Sequence, residues 1–96
     1  MDKRYFVYIL TNHTNTIFYT GITNNIQRRV YEHKHVVISN AFTRRYNIYK
    51  LLWFQEFDNP LTAIEYEKKI KKYSQMKKLK LIQQKNPELK ELKFEP

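Results

Sequence analysis

Two β-rich segments separated by a polar turn constrain the fold of this chain more than any other feature. Residues 4–11 (RYFVYILT) and 17–22 (IFYTGI) are rich in β-branched and aromatic residues, whereas residues 12–16 (NHTNT) are typical of turns. This pattern predicts an antiparallel hairpin. If its turn is centred between His13 and Thr14, Tyr8 lies opposite Tyr19 and both point to one face of the sheet.

That placement of the two tyrosines depends on the register. A shift by one residue would send Tyr8 and Tyr19 to opposite faces, because side chains alternate along a strand. Even in the predicted register, a cross-strand aromatic pair that only stabilises the hairpin is an alternative to a catalytic pair.

The remainder of the chain predicts one more strand and three helices. The elements are strands 4–11, 17–22 and 49–57, and helices from Thr23 or Asn24 to about 35, from Pro60 to about 73, and over 75–85. Residues 36–48 are hard to assign, apart from a break at 39–40 and a basic loop at 43–45. Thr62 with Glu65 is a candidate capping box, and Ser74 is expected to cap the last helix.

The order of these elements predicts the fold class. It is β-β-α-β-α-α, an α+β domain with a three-stranded antiparallel sheet flanked by helices. We expect residues 1–96 to form one domain, with a core over about 4–87 and a charged tail over 88–96, because 96 residues suffice for one modest core.

The charge balance favours a polyanionic partner. The chain carries 18 Lys and Arg against 9 Asp and Glu, a net charge of +9 with a pI near 9.8. So much positive charge on a small domain makes nucleic acid the leading candidate. An acidic protein or a membrane surface is the alternative. Cysteine is absent, which excludes disulfides and thiolate metal sites and fits a reducing compartment.

The N-terminal apolar run is too short for a signal peptide or a membrane span. Residues 5–10 are apolar, but polar residues follow at 11–13. We therefore expect a cytoplasmic protein that does not insert into a membrane.

Gly21 is the single glycine of the chain, and it follows Tyr19 by two residues near the end of the second strand. A glycine at this place predicts either a bend before the helix or an unusually close approach to the backbone, as by a phosphate. The two interpretations are compatible.

The first predicted helix carries two further candidates. Ile26 and Val30 mark its apolar side, and their spacing puts Arg29 and His33 on or beside the face that packs on the sheet, with Arg28 turned to solvent. An arginine at this edge extends outwards to solvent, pairs with a carboxylate, or binds a phosphate through its guanidinium. A lone histidine there is more often a satisfied hydrogen-bonding residue than a catalyst.

In the helix after Pro60, Glu67 borders the apolar stripe between Ala63 and Ile70. It either forms an i,i+4 salt bridge with Lys71 or serves as a metal ligand, since Mg²⁺ commonly uses one or two protein carboxylates. Eight lysines and no acidic residue follow from 68 to 85. The candidate nucleic-acid-binding residues are Arg28, Arg44, Arg45, Lys68, Lys69, Lys71, Lys72, Lys77 and Lys78.

The order and spacing of these residues resemble the GIY-YIG nucleases. Residues 7–9 (VYI) resemble the first family motif and residues 19–21 (YTG) the second, and YTGITNNIQRRVYEH over 19–33 is the most specific stretch. Residues 63–72 (AIEYEKKIKK) resemble the helix that supplies the metal-binding glutamate of the family. Val7 and Thr20 depart from the family letters, and Asn86 is a loose match to its late asparagine. The resemblance covers residues 4–87 and is greatest to small stand-alone bacterial members.

The resemblance implies a metal-dependent endonuclease that hydrolyses phosphodiesters, in DNA processing or repair. By analogy, Tyr8 or Tyr19 activates water, Arg29 stabilises charge on the phosphate, and Glu67 holds one Mg²⁺ or Mn²⁺. His33 orients a tyrosine or relays a proton. A separate protein partner could supply targeting, and the alternatives are a nucleic-acid-binding module that does not cut and an adaptor that docks on an acidic protein.

Overall fold

Strand β1 (Tyr5–Thr11) lies at the centre of a three-stranded antiparallel sheet. The computed structural model of the chain describes residues 4–35 and 41–93. Strand β2 (Phe18–Thr23) pairs with one edge of β1 and β3 (Lys50–Phe57) with the other. All three predicted strands are confirmed, with ends displaced by about one residue.

The helices confirm the predicted α+β class and add one short element. They are α1 (Ile26–Lys34), α2 (Ala41–Arg45), α3 (Pro60–Lys71) and α4 (Gln75–Lys85). The loop predicted at 43–45 is wrong, since these residues lie in α2, whereas the break predicted at 39–40 lies outside the described residues. None of the helices in the described ranges is long and apolar enough to cross a membrane.

The hairpin keeps the predicted face but not the predicted register. Tyr8 pairs with Gly21, and Tyr19 pairs with Leu10. The turn is therefore centred one residue later than predicted, where Asn15 adopts a left-handed conformation at φ 58°. The Oδ1 atom of Asn12 accepts the Thr16 backbone N–H at 2.9 Å and stabilises this turn. A displacement of the pairing by two residues preserves side-chain alternation, so Tyr8 and Tyr19 still share a face.

Alternation along β1 divides the core into two clusters. Val7 and Ile9 pack with residues of α3 and α4, including Ala63 and Ile70. Tyr8 and Leu10 pack on the other side with Ile26 and Val30 of α1. The sheet is thus covered on both faces, and α1 is held against the face that carries the two tyrosines.

Helix caps explain the small errors at the predicted helix ends. The side chain of Asn25, rather than Thr23 or Asn24, accepts the backbone N–H of Arg28 at 3.0 Å, so α1 begins at Ile26. The Asn59 side chain caps α3 through Leu61 and Thr62 backbone N–H groups. The capping box predicted from Thr62 and Glu65 is therefore wrong, whereas Ser74 caps α4 as predicted.

The described part of the charged tail packs against the sheet. The backbone N–H of Leu92 donates to the Leu51 carbonyl of β3 at 2.8 Å, and the Leu92 side chain joins the α1 side of the core. The Lys34 ammonium of α1 lies 2.7 Å from the Glu91 carboxylate. This segment therefore covers part of the β3 edge instead of projecting into solvent.

Candidate active site

Three aromatic side chains from β1, β2 and α1 converge on one face of the sheet. The ring centroids are separated by 6.5 Å for Tyr8 and Tyr19, 6.4 Å for Tyr8 and His33, and 5.9 Å for Tyr19 and His33. The structure thus brings together three of the predicted catalytic side chains, here called the catalytic cluster. They stand close together because the hairpin places both tyrosines on the face that α1 covers.

Gly21 is required by the position of the Tyr8 phenol. A Cβ atom at residue 21 would collide with Cζ and Oη of Tyr8. Gly21 does not adopt a positive φ, so a backbone conformation reserved for glycine is not its reason. Of the two predicted roles, close approach is the one observed, but the approaching group is the tyrosine ring.

The two tyrosines differ in exposure. Tyr8 is buried, with 2% of its surface accessible, whereas Tyr19 is half-buried. Burial raises the pKa of Tyr8 well above its ordinary value near 10, and the neighbouring Tyr19 raises it further. The positive charge of Arg29 acts in the opposite direction but does not offset these effects. Tyr8 therefore retains its proton at neutral pH.

His33 is buried against both tyrosines, with 5% of its surface accessible. Burial lowers the pKa of His33 below its ordinary value near 6.5, and the Arg29 charge lowers it further, partly offset by Glu32. Within the described residues, its buried Nδ1 atom has no hydrogen-bond partner. At neutral pH the ring is thus uncharged and has unused capacity to bind a proton or a ligand.

Arg29 and Arg28 share a carboxylate that sequence reasoning missed. Glu32 is buried, and its oxygens lie 3.6 Å from Arg29 Nε and 3.8 Å from Arg28 Nε. These distances are ion-pair contacts and are too long for hydrogen bonds. The i,i+3 and i,i+4 spacings from the two arginines were the available signal. As predicted, Arg28 is exposed and Arg29 is partly buried at the packing edge.

Glu67 is buried at the border of α3, with 8% of its surface accessible. Its Oε2 atom lies 2.9 Å from the Lys71 ammonium, so the predicted i,i+4 salt bridge is present. The carboxylates of Glu32 and Glu67 both raise the pKa of Tyr8 through their charge. This effect connects α3 with the catalytic cluster.

The donor set around Glu67 fits a hard metal ion that keeps most of its water. The described residues contain no group of three or more His, Asp or Glu side chains that could form a protein cage. A single buried carboxylate is compatible with Mg²⁺, which commonly uses one or two protein carboxylates, but the Lys71 ammonium now pairs with it. The Lys71 side chain is about half exposed and can leave the carboxylate without losing a buried position.

The predicted nucleic-acid-binding residues lie mostly on the surface. Exposed side chains are Arg28, Arg44, Arg45, Lys68, Lys69, Lys71, Lys72 and Lys77. Lys77 packs over the Tyr73 ring at 4.2 Å. Lys78 is half-buried, and burial followed by the charge of Lys71 lowers its pKa.

Asn86 is occupied by backbone contacts. Its amide nitrogen donates to the carbonyls of Leu52 at 3.0 Å and Lys90 at 2.8 Å, and its oxygen accepts the Lys90 N–H at 3.1 Å. These bonds connect the end of α4 with β3 and the tail. The geometry supports a structural role for Asn86, and its match to the late asparagine of the family stays a prediction.

This chain is similar in sequence to known proteins. The family model of the GIY-YIG catalytic domain matches residues 4–80. A UPF0213 protein of Oceanobacillus iheyensis is 34% identical over 83 residues, which cover 86% of this chain and 94% of the relative. One of Syntrophus aciditrophicus is 39% identical over 88 residues, which cover 92% of this chain and 98% of the relative.

A solved structure is similar as well. The solution NMR structure of a UPF0213 protein from Bacillus halodurans superimposes with a TM-score of 0.56 at 26% identity and covers 88% of each chain. The names of these relatives state no reaction. Sequence, fold and family match agree that this chain belongs to the GIY-YIG catalytic domain family.

Proposed function

We propose that this chain is a metal-dependent endonuclease that hydrolyses phosphodiester bonds of nucleic acid, with DNA favoured over RNA. The main support for the proposal is that Tyr8, Tyr19 and His33 converge beside Arg29. The centroids of the three rings lie within 6.5 Å of one another. Among the described residues, the buried His33 Nδ1 atom has no hydrogen-bond partner, and packing alone does not explain such an atom. Such groups concentrate at functional sites.

The different environments of the two tyrosines suggest different roles. Tyr8 keeps its proton and can donate a hydrogen bond, whereas the more exposed Tyr19 can contact the attacking water. His33 is uncharged at neutral pH and adjoins both rings, so it can accept the proton that the water loses. The water oxygen then bonds to phosphorus as the bond from phosphorus to one sugar oxygen breaks, and that oxygen leaves with the electron pair and takes a proton from solvent.

Arg29 would stabilise the negative charge that accumulates on the phosphate oxygens. Its side chain is partly buried, and its charge lowers the pKa of His33, so it lies close to the reacting groups. The Glu32 carboxylate lies 3.6 Å from the Arg29 Nε atom and can orient the guanidinium through its charge. Among the described residues, this buried Nε atom has no hydrogen-bond partner. A charge fixed in a partly dry site stabilises a transition state more than one in water.

Glu67 would hold one Mg²⁺ or Mn²⁺, with Lys71 displaced into solvent. When bound, such an ion acts as a Lewis acid on the scissile phosphate and on the leaving oxygen. The basic residues of α3 and α4 would attract the rest of the strand, because all of them but Lys78 are exposed.

One observation favours the alternative of a binding module that does not cut. The ion pair between Lys71 and Glu67 is what a purely structural helix surface would show. A binding module would retain the lysine surface and would not require Glu67 to be free for a metal.

A cleavage assay separates the two functions. Purified protein is incubated with labelled single-stranded, duplex and branched DNA and with RNA, in Mg²⁺, Mn²⁺ or EDTA. We expect cutting of at least one substrate that stops in EDTA and in Glu67→Gln. Glu65→Gln, an exposed position on the same helix, is the matched control and should cut normally. Binding of every substrate without cutting by wild type would leave the binding module as the function.

A further inference from the structure

A cavity of about 100 Å³ adjoins the catalytic cluster. It lies between the end of α1 and the segment from α2 to β3, and we call it the α2 cavity. His33 lines it and also contacts Tyr8 and Tyr19, so a single imidazole belongs to both places. Arg44 and Asn47 contribute polar groups to the wall.

The backbone of the α2 cavity is firmly held. Two residues after the end of α2, Asn47 adopts a left-handed conformation at φ 52°. The N–H of Asn47 donates to the Arg44 carbonyl at 3.3 Å, and that of Ile48 donates to the Thr43 carbonyl at 2.9 Å. This pair of bonds is a Schellman motif, and asparagine tolerates its left-handed residue. These two hydrogen bonds fix the backbone that carries Arg44.

The charges around the α2 cavity favour an anion. Its lining includes the cations Lys34 and Arg44, and no carboxylate of the described residues lines it. Lys34 is paired with Glu91, whereas Arg44 makes no ion pair within the described part of the chain. The His33 Nδ1 atom is buried and lacks a hydrogen-bond partner among the described residues. The wall of the cavity thus carries the Arg44 guanidinium, which has no ion pair in the described part of the chain, and a histidine that has one unsatisfied nitrogen.

The size of the α2 cavity restricts the ligand. An apolar cavity of about 150 Å³ is known to enclose a benzene ring, and a nucleobase is larger than benzene, so a cavity of about 100 Å³ does not enclose a nucleobase. A tetrahedral phosphate group is smaller, and it matches the donors of arginine and imidazole.

We propose that the α2 cavity binds a phosphate of the same strand that is cut, next to the scissile one. The inference rests on the proposed nuclease function, because it needs a strand to pass the catalytic cluster. A strand whose scissile phosphate lies at Tyr19 brings a neighbouring phosphate to the other groups around His33. The pocket would fix the strand along its length and select which bond is cut.

Phosphate titration in EDTA tests the pocket without any cleavage. Inorganic phosphate is added to the full-length protein while amide signals are followed by NMR. We expect saturable shifts at His33, Asn47 and Ile48, and about tenfold weaker binding in Arg44→Gln. Arg45→Gln is the matched control, because Arg45 packs on Tyr46 and does not line the cavity. Shifts confined to the lysines of α3 and α4, or equal losses in both variants, would overturn the proposal.

A second measurement links the cavity to the strand. DNA carrying one neutral methylphosphonate, moved along the sequence, is bound in EDTA by wild type and by Arg44→Gln. We expect one position at which removing the phosphate charge weakens DNA binding by wild type about tenfold. The same change should leave DNA binding by Arg44→Gln unaltered. Additive losses at every position would contradict a defined phosphate pocket.

The proposal about the cavity and the proposal of nuclease activity can be disproved separately. Glu67→Gln should lose cutting yet bind phosphate in the α2 cavity as wild type does. If wild type cuts nothing but the cavity takes phosphate, the nuclease proposal is wrong and the anion site remains. If wild type cuts but phosphate does not bind there, the inference about the cavity is wrong.

Discussion

The phenol of Tyr8 occupies the space that a side chain on Gly21 would need. The two residues are direct partners across β1 and β2, and a Cβ at position 21 would collide with Cζ and Oη of Tyr8. The glycine thus fixes where one ring of the catalytic cluster lies. Its role is steric, because its φ is one that other residues can adopt.

Gly21→Ala is therefore expected to displace Tyr8 and to destabilise the fold by about 1–3 kcal/mol, the usual range for overpacking. Urea unfolding measures this cost. In a Tyr8→Ala background the ring is gone, so the same substitution should cost much less. An equal cost in both backgrounds would show that contact with Tyr8 is not the reason for the glycine.

His33 gives the proposed reaction an acidic limit. The neutral imidazole is the active form, and burial lowers its pKa below 6.5, so activity should be full above that pH and fall as the pH drops through the lowered pKa. The rate profile of cleavage and the NMR titration of the ring both measure it. His35→Gln is the control, since His35 is exposed and stacks on Tyr31. A titration of His33 above pH 6.5 would contradict this account.

Protonation of His33 also affects stability. Between the lowered pKa of the folded state and the ordinary value near 6.5, the unfolded chain binds more protons, so stability falls as the pH falls through this window. The His33→Gln variant should lack this loss. The two effects can be separated because stability is measured without substrate.

Asn86→Ala is expected to destabilise the chain by about 1–3 kcal/mol, because it leaves the buried Leu52 carbonyl without its partner and releases Lys90. Thermal or urea unfolding gives the cost. Cleavage per folded molecule should remain unchanged, since every bond of this side chain goes to backbone. If Asn86→Ala lost cleavage activity with unchanged stability, the Asn86 side chain would have a role in the reaction.

For the hairpin, the sequence predicted the face on which the two tyrosines lie but not their pairing partners. Strand pattern sufficed to put Tyr8 and Tyr19 on one face, because alternation survives a displacement by two residues. The direct partner of Tyr8 was wrong because the turn centre depends on Asn15 in a left-handed conformation and on the Asn12 side chain. Several turn residues in the segment could have adopted that geometry.

Elements with strong local signals were predicted, and those set by tertiary contacts were not. Ser74 at the start of α4 is a local cap, and it was identified. The burial of Glu32 depends on the sheet beneath α1, and the packing of Leu92 on β3 depends on residues 41 positions apart. Helix α2 is short, and its end is defined by Asn47, which a propensity pattern does not distinguish from a loop.

In the proposed nuclease, Arg29 and Glu67 act in one active site, and single-turnover cleavage is the decisive measurement of this claim. The cleavage rate in metal and the affinity for the substrate in EDTA are measured for wild type, Arg29→Gln, Glu67→Gln and the double variant. Arg28→Gln is the matched control. We predict that each of the two single variants cuts at least about 100-fold more slowly with binding changed less than fivefold, and that the double variant is little slower than the worse single one. Equal losses in Arg28→Gln and Arg29→Gln, both explained by weaker binding, would contradict the claim.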